Sequence, residues 1–391
     1  MSENPEIRST PAAAAVASVN PTSDGRPDAG DPLPTDVAPA LRYPLGDPPL
    51  PGEFKEVAPG LLWLRMPLPF SLNHINLWAI ADEDAQGPGW AVVDTGTKTP
   101  EALAAWRQLT AADGPLAQTP QGARITRVFC THMHPDHVGL AGWLTRKFQC
   151  RLWMTRQEYL TCRTLNADAG REAPEDAVRF YRQCGWSEAA LDIYRTRFGG
   201  FSKYLHALPD SFRRIRDGEK ITIGAHDWRV IEGRGHSPEH ACLLNDDLGM
   251  LISGDQVLPR ISSNVSVFPT EPDADPLDDW MRSLVRLREL PDSLLVLPAH
   301  GEPFHGLHAR LDRLTAGHER GLTRLRRSLA DKPRRAIDVF GALFARPIDP
   351  NSELLGMATG EALAHLNRLI ATGEASSALD ADGVRWYRSA A

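Results

Sequence analysis

The chain has 391 residues, of which 42% are hydrophobic and 24% charged, and its formal net charge is −7. The length predicts one large domain with a smaller one, or two medium domains, and the acidic balance (pI near 6.0) disfavours a general nucleic-acid-binding surface. The five cysteines are widely spaced and form no CxxC pair, which argues against a disulfide framework and predicts a cytoplasmic protein. No apolar run is long enough for a transmembrane helix, so we expect no membrane partner.

The first 40 residues are rich in Pro, Ala, Asp and Ser. Glu3 and Glu6 stand where a signal peptide carries positive charge, and acidic residues are also rare in transit peptides. We therefore predict a disordered tail over residues 1–40.

Alternating strand and helix patterns follow this tail. LLWLRMPLP, INLWAIAD and GWAVVDTG predict strands, the last of which turns at Asp94. PEALAAWRQLTAA has the apolar spacing of a helix. ITRVFCTHMH then predicts a strand, VGLAGWLTRKF a helix and CRLWMT a further strand. Such alternation is typical of an α/β fold.

Residues 156 to about 216 interrupt the alternation with consecutive helical patterns, which we interpret as a helical insertion. Strands return with KITIGAHDWRVIEG, ACLLNDDLGMLISGD and LLVLPAHG, and the second of these predicts a hairpin that turns at residues 245–247. The aromatic side chains of the insertion have two interpretations, as the lining of an acyl pocket or as the core between helices.

The last segment predicts three helices and then a hairpin at Asp382 and Gly383. This is the element order of a winged helix. We therefore divide the chain into the tail, an α/β domain over residues 41–316 and a winged-helix-like C-terminal module over residues 317–391.

A cluster of polar residues follows the strand that ends near Cys130. The stretch CTHMHPDHVG contains His132, His134, Asp136 and His137 within six positions. The first two histidines are two residues apart, so both can point to one side of the chain. The other two residues lie in the following turn and can face a neighbouring point. Imidazole and carboxylate groups together suit zinc and related metal ions.

Three further candidate ligands stand beside glycines at the ends of predicted strands: His236 in GRGHSPEH, Asp255 in LISGDQVLP and His300 in LVLPAHGEPF. Loops at strand ends are where α/β proteins place functional residues. A single residue of this kind is usually a cap or turn residue, but the full series is not expected by chance. The sequence therefore predicts more than one metal site.

These motifs resemble the metallo-β-lactamase superfamily over roughly residues 53–315, through VDTG (93–96), THMHPDH (131–137), GHSPEH (235–240), SGD (253–255) and PAHG (298–301). The resemblance implies a four-layer αββα sandwich as the catalytic domain, with a binuclear metal site at one edge. It also implies two divalent ions per chain, with zinc preferred to iron or manganese. By the same resemblance, the ligands of the first ion are His132, His134 and His236, and those of the second ion are Asp136, His137 and His300. Asp255 is expected to bridge the two ions.

The resemblance gives roles to three further residues. Asp94 corresponds to an aspartate that orients a ligand from behind the site. Glu239 stands where the family often has glycine, and we expect it to alter its loop locally without displacing His236. His240 is expected to be structural.

Asp136, together with an aspartate at the bridging position, resembles the glyoxalase II-like hydrolases more than the antibiotic-hydrolysing branches. The predicted function is a hydrolase whose metal-bridging hydroxide attacks an acyl thioester, ester or lactone carbonyl, with Asp136 as the catalytic base. One alternative is an endoribonuclease with a winged-helix module, which the scarcity of arginine in the predicted third helix of the module disfavours. Another is a single-iron sulfur dioxygenase, which the full ligand set disfavours.

Two residues in neighbouring loops, His74 and Asn264, are candidates for substrate contact or for structural hydrogen bonds. The expected partner is a small-molecule acyl substrate. Nucleic acid is not an expected partner, and the C-terminal module is a candidate contact for a homodimer.

Overall fold

The computed structural model describes residues 40–349 and 354–390. Apart from Ala40, the predicted disordered tail lies outside the described residues. No helix within these ranges is long and apolar enough to cross a membrane. All five cysteines are free thiols, as the sequence predicted.

Seven strands form the first sheet, in chain order: β1 (Phe54–Ala58), β2 (Leu61–Pro67), β3 (His74–Asp84), β4 (Gly87–Val93), β5 (Ile125–Phe129), β6 (Arg151–Met154) and β7 (Arg213–Arg214). Strands β1 to β4 pair antiparallel, whereas β4 to β7 pair parallel. Parallel neighbours need a crossover connection, and helices supply it here. Because β4 and β5 run side by side in the same direction, the residues that follow both strands lie at one edge of the sheet.

Helix α1 (Pro100–Leu109) connects β4 to β5, and helices α2 (Pro135–Val138) and α3 (Ala141–Phe148) connect β5 to β6. Helix α1 begins where expected, because the Thr99 side chain accepts a hydrogen bond from the Ala102 amide at 3.1 Å and proline follows the cap. Trp106 of this helix is buried and donates its indole N–H to the Thr95 carbonyl at 2.8 Å. The helix therefore fixes the loop that follows Asp94.

Helices α4 (Arg156–Ala167), α5 (Glu175–Gln183) and α6 (Glu188–Arg197) and a 3₁₀ turn (Gly200–Tyr204) occupy the predicted insertion, which also contains strand β7. Several of its aromatic side chains are packed into cores. Tyr181 lies 4.2 Å from Trp186 and 4.7 Å from Tyr194 between ring centroids. Tyr159 stacks on Phe212 at 3.9 Å. These contacts favour the core interpretation over an acyl pocket for these rings.

Five strands form the second sheet: β8 (Lys220–Ile223), β9 (His226–Gly233), β10 (His240–Asn245), β11 (Met250–Gly254) and β12 (Leu295–Pro298). Their order is β12-β11-β10-β9-β8, and only the β11–β12 pair within this sheet is parallel. Helix α7 (Pro276–Leu287) connects that pair. The predicted hairpin is confirmed, with Asn245 opposite Met250.

Three apolar cores separate four layers. Alternate side chains of a strand point to opposite faces. Accordingly, Val92 joins the core beneath the helices of the first sheet, whereas Val93 joins the core between the two sheets. In the second sheet, Leu243 faces that central core and Leu244 faces the outer helices. The predicted αββα sandwich is therefore confirmed.

The C-terminal segment contains α8 (Leu307–Asp331), α9 (Phe340–Leu343), α10 (Leu354–Ala371) and the hairpin of β13 (Ala375–Leu379) and β14 (Arg385–Ser389). This is the order predicted for the module. Helix α8 runs without interruption through the predicted boundary at residue 317. Buried residues of α8 and α10 share one apolar core with the second sheet. The C-terminal elements are thus packed directly against the layer that carries part of the polar cluster.

Candidate metal centre

The seven predicted ligands come together at the ends of four strands. Strand β5 leads into the histidine cluster, and strands β9, β11 and β12 lead to His236, Asp255 and His300. Each of the seven side chains is at most 4% exposed. They form two groups of potential donors, one with His132, His134, His236 and Asp255, the other with Asp136, His137 and His300.

The donor atoms of the first group lie close together. Nε2 of His132 lies 2.7 Å from Nδ1 of His134 and 3.3 Å from Nε2 of His236. The Oδ2 atom of Asp255 lies 3.4 Å from the same His236 nitrogen. Tetrahedral ligands about 2.0–2.1 Å from a zinc ion are separated by about 3.4 Å. Most of these spacings therefore suit a small divalent cation.

The second group has the same spacing. Oδ2 of Asp136 lies 3.5 Å from Nε2 of His137 and 3.3 Å from Nε2 of His300. The other oxygen of Asp255, Oδ1, lies 3.5 Å and 3.3 Å from those two nitrogens. The two carboxylate oxygens of Asp255 are thus divided between the two groups, which is the arrangement expected of a bridging ligand.

Buried atoms without partners mark the same place. Both carboxylate oxygens of Asp136, Oδ1 of Asp255, and the Nε2 atoms of His137 and His300 are buried and accept or donate no hydrogen bond within the described chain. An orphaned buried polar group costs about 1–3 kcal/mol, and more if charged. Five such atoms around the second group need an explanation, and a divalent cation at that group supplies one. The donor set therefore fits the metal ions that the sequence predicted.

The electrostatics differ between the two groups. Burial and the neighbouring rings lower the pKa of His132 and His134 well below the usual range, which keeps both imidazoles neutral. For His137, burial acts in the same direction, but the charges of Asp136, Asp94 and Asp255 outweigh it and raise its pKa well above the usual range. The carboxylates therefore make the surroundings of the second group the more negative of the two.

Hydrogen bonds on the far side of two rings set their orientation. Nδ1 of His236 lies 2.7 Å from the Asn264 carbonyl, and Nδ1 of His300 lies 2.8 Å from the His74 carbonyl. A carbonyl only accepts, so Nδ1 carries the proton in both rings and Nε2 presents its lone pair to the site. Such outer partners are typical of metal-ligating histidines.

Asp94 supplies the corresponding partner for His137. Its Oδ2 lies 2.8 Å from Nδ1 of His137, and its Oδ1 accepts the Thr131 amide at 2.8 Å. The backbone of Asp94 is left-handed, with φ 63°. Asp94 thus contacts the back of the His137 ring, as the family resemblance implied.

Two glycines allow the close approaches that form the site. A Cβ at Gly139 would lie 2.4 Å from the Pro135 carbonyl oxygen, which is closer than real Cβ atoms come. A Cβ at Gly254 would lie 2.5 Å from Nε2 of His240, and the backbone there has φ +50°. The His240 nitrogen accepts the Asp255 amide at 3.0 Å, so His240 has a structural contact beneath the bridging aspartate.

The two candidate substrate contacts have internal partners. Nε2 of His74 accepts the Gly301 amide at 3.0 Å, and Nδ1 lies 2.9 Å from Asn73. Burial lowers the pKa of His74 to about 3, so the ring is neutral. The side chain of Asn264 donates to Glu361 at 2.9 Å. These contacts favour the structural interpretation of both residues, which hold His300 and His236 through their carbonyls.

The sequence reasoning missed Glu158 on helix α4. This carboxylate is fully buried, accepts the Met133 amide at 2.9 Å and accepts the Glu239 amide at 2.7 Å. It therefore joins the loop of His132 and His134 to the loop of His236. A glutamate inside a helical pattern gave no signal of this role.

Glu239, the departure from the family pattern, is part of the same junction. Its carboxylate accepts the Gln157 amide at 2.9 Å at the start of α4, and its carbonyl accepts the Thr155 hydroxyl at 2.8 Å. The loop is therefore fastened to the insertion, while His236 keeps its place in the site.

Two models of known families match this chain. A family model described as the metallo-beta-lactamase superfamily matches residues 75–300. The chain belongs to this superfamily. A second model, described as metallo-beta-lactamase-like, C-terminal domain, matches residues 322–390. The superfamily match contains all seven candidate ligands and ends on the last of them, His300.

Three similar proteins illustrate the breadth of the superfamily. A solved structure of a beta-lactamase domain protein from Burkholderia ambifaria is 41% identical, has a TM-score of 0.80 and covers 90% of this chain and 98% of its own. Probable metallo-hydrolase YqjP of Bacillus subtilis is 28% identical over 291 residues, which are 72% of this chain and 84% of that protein. A hydroxyacylglutathione hydrolase of Rhodopseudomonas palustris is 25% identical over 182 residues, 46% of this chain and 50% of that one.

Proposed function

We propose that the chain is a binuclear metal-dependent hydrolase that cleaves an acyl thioester, ester or lactone. The observation that carries this proposal is the division of the Asp255 carboxylate between two groups of buried donors. The first ion would be held by His132, His134 and His236; the second by Asp136, His137 and His300; and Asp255 would bridge them.

Zinc is the proposed metal, because the donors are imidazole nitrogens and carboxylate oxygens, and most neighbouring donor atoms are 3.3–3.5 Å apart. Iron and manganese accept the same donors and are the alternatives. Among the described residues, no cysteine belongs to either group of donors, and Sγ of Cys130, in the same loop, faces the His137 carbonyl at 3.9 Å.

The bound metal pair would supply a water activated near neutral pH and a Lewis acid for the carbonyl oxygen. The chain supplies the rest. Asp136 is fully buried between His137 and His300, with carboxylate oxygens that have no hydrogen-bond partner in the described chain. We assign it the transfer of the proton of the nucleophilic water to the leaving thiolate or alkoxide. Asp94 keeps the His137 ring in the tautomer that presents Nε2.

The substrate class is supported by two features. The chain has Asp136 together with an aspartate at the bridging position, which is the ligand set that resembles glyoxalase II-like enzymes. One relative is named a hydroxyacylglutathione hydrolase, and that name describes a thioester substrate. We therefore place thioesters first, ahead of esters and lactones.

The C-terminal arginines support a small-molecule substrate over RNA. Arg326 pairs with Glu374, Arg335 pairs with Asp338, and Arg368 pairs with Asp275 and Asp278. Arginines neutralised in this way contribute little to a phosphate-binding face.

A substrate panel tests the proposal. Acyl-glutathione and acyl-coenzyme A thioesters, aryl esters, lactones and single-stranded RNA are assayed with the wild type and with Asp136→Ala. We expect thioester turnover that Asp136→Ala reduces by at least about 10²-fold, within the usual range for a general base. Asp338→Ala serves as the control, because this carboxylate pairs with Arg335 in the C-terminal segment and is not one of the candidate ligands. RNA cleavage without thioester, ester or lactone turnover would overturn the proposed substrate class.

A further inference from the structure

Helix α10 places a buried carboxylate against the loop that follows β11. Glu361 is 3% exposed, and its Oε2 accepts a hydrogen bond from Nδ2 of Asn264 at 2.9 Å. Burial raises the pKa of Glu361 to about 7, and the hydrogen bond from Asn264 opposes that shift. A buried acid is expensive to retain unless it has a specific partner, and Asn264 is that partner.

The same asparagine holds one of the candidate metal ligands. The Asn264 carbonyl accepts the Nδ1–H of His236 at 2.7 Å. Nε2 of His236 then faces Asp255 at 3.4 Å and His132 at 3.3 Å. Asn264 therefore contacts the C-terminal helix with its side chain and the metal centre with its backbone.

Further contacts fix this loop to α10. The Ser266 hydroxyl donates to Oδ1 of Asn264, which sets the orientation of the amide. The Val267 amide donates to the Gly360 carbonyl at 3.1 Å. A Cβ at Gly360 would lie 2.7 Å from the Ser266 side chain, so the helix backbone approaches the loop directly. The loop lies between β11 and α7 and belongs to no sheet. Its contacts with α10 therefore hold it in place of the backbone hydrogen bonds that a neighbouring strand would supply.

We propose that Glu361 is a positioning residue of the metal centre, which holds the Asn264 amide and so fixes the carbonyl that orients His236. The inference deepens the proposed function and rests on it, since it takes His236 as a metal ligand. The C-terminal module is then part of the catalytic unit, and its contribution is the geometry of the first metal group.

Replacements at position 361 separate hydrogen bonding from packing. Glu361→Gln keeps an oxygen that accepts from Asn264, whereas Glu361→Met has similar size and removes the acceptor. Thr359→Val is the matched control on the same helix, because buried Thr359 accepts from Trp186 of the insertion at 3.0 Å. Asn264→Ala breaks the same connection from the other side and replaces Glu361→Met if that variant does not fold.

Two measurements on the full chain test the proposal. Zinc affinity is determined by competition with a chelator, and the Nδ1–H resonance of His236 is followed by NMR in metal-free protein labelled with ¹⁵N-histidine. We expect Glu361→Met and Asn264→Ala to weaken one of two zinc sites by about 10-fold or more, as for other outer partners of metal ligands. The same variants should shift or broaden the His236 resonance. Glu361→Gln should restore both readouts, and Thr359→Val should change neither.

Unchanged zinc affinity and an unchanged His236 resonance in Glu361→Met would overturn the positioning role. Equal losses in Glu361→Met and Thr359→Val would also overturn it, because packing alone would then explain the effect. Failure of the proposed function appears differently, as a wild-type protein that binds no metal or hydrolyses no acyl substrate. The resonance of His236 in metal-free protein still decides the role of Glu361 in that case.

Discussion

Oδ2 of Asp94 lies 2.8 Å from Nδ1 of His137, and Asp94 reaches this position with a left-handed backbone at φ 63°. Residues other than glycine adopt that conformation rarely, and Asp and Asn tolerate it best. Backbone strain of this kind persists where the surrounding structure demands it. Here the Asp94 amide donates to the Phe129 carbonyl at 2.8 Å. This hydrogen bond holds the turn that follows β4 against the end of β5.

The first prediction concerns this contact. Asp94→Asn keeps the left-handed preference and one oxygen, but it loses the charge and one of two acceptors that serve His137 and Thr131. We expect the affinity of the second metal group to fall about 10- to 100-fold, with little change in the first group. Calorimetric titration of metal-free protein with zinc measures both. Two sites with wild-type affinity would show that the contact does not orient His137.

The second prediction concerns metal content. Protein purified without chelator should contain two metal ions per chain, because two groups of buried donors share the carboxylate of Asp255. Each ion present at about 100 times its dissociation constant adds roughly 3 kcal/mol to the free energy of unfolding. Elemental analysis and denaturant unfolding, before and after chelation, test this. One ion per chain, or unfolding that chelation does not change, would contradict a binuclear site.

The candidate ligands could be selected from the sequence because their signals are local. His132 and His134 follow an apolar run directly, and Asp255 and His300 each stand beside a glycine at a strand end. The α/β class could be predicted from the succession of strand and helix patterns, whereas the four layers were implied only by the resemblance to the superfamily.

Residues that act through tertiary contact left no such signal. Glu158 is 25 positions from Met133, whose amide it accepts, and Glu361 is 97 positions from Asn264. Both lie within ordinary helical patterns, where a glutamate is most often a surface residue. The role of the aromatic side chains of the insertion could not be decided from the sequence for a related reason. Periodicity shows that a helix face is buried, but it does not show whether that face packs against another helix or lines a pocket.

The third prediction concerns Glu158, which joins two ligand loops. Glu158→Leu leaves the Met133 and Glu239 amides without their acceptor, and each orphaned buried amide costs about 1–3 kcal/mol. We expect a loss of stability of that order and weaker zinc binding by the first group. Cys162→Ala is the control, since Cys162 is buried on the same helix within the apolar core. If both variants lose stability but keep wild-type zinc affinity, Glu158 has only a packing role.

The fourth prediction concerns a buried histidine pair in the C-terminal segment. Nδ1 of His318 lies 3.4 Å from Nε2 of His365, and Nδ1 of His365 lies 2.9 Å from the Glu361 carbonyl. Burial and the neighbouring His365 lower the pKa of His318 from 6.5 to about 3. Burial likewise lowers the pKa of His365 to about 4, with Arg324 adding to the shift. The fold therefore holds both rings neutral.

The sign of the pH dependence follows from these directions. Between pH 6.5 and about 3, the unfolded chain binds a proton at His318 that the folded chain does not, so stability falls as the pH is lowered through this range. At pH 5 the loss of unfolding free energy from this one ring is roughly 2 kcal/mol.

His318→Gln removes the titrating group and keeps a polar side chain. Between pH 7.5 and pH 5, its free energy of unfolding should therefore fall by about 2 kcal/mol less than that of the wild type. Leu325→Val, on the same helix, should lower stability equally at both pH values. Denaturant unfolding of the three proteins at matched metal content measures this, and parallel losses in His318→Gln and the wild type would show that His318 is not held neutral by the fold.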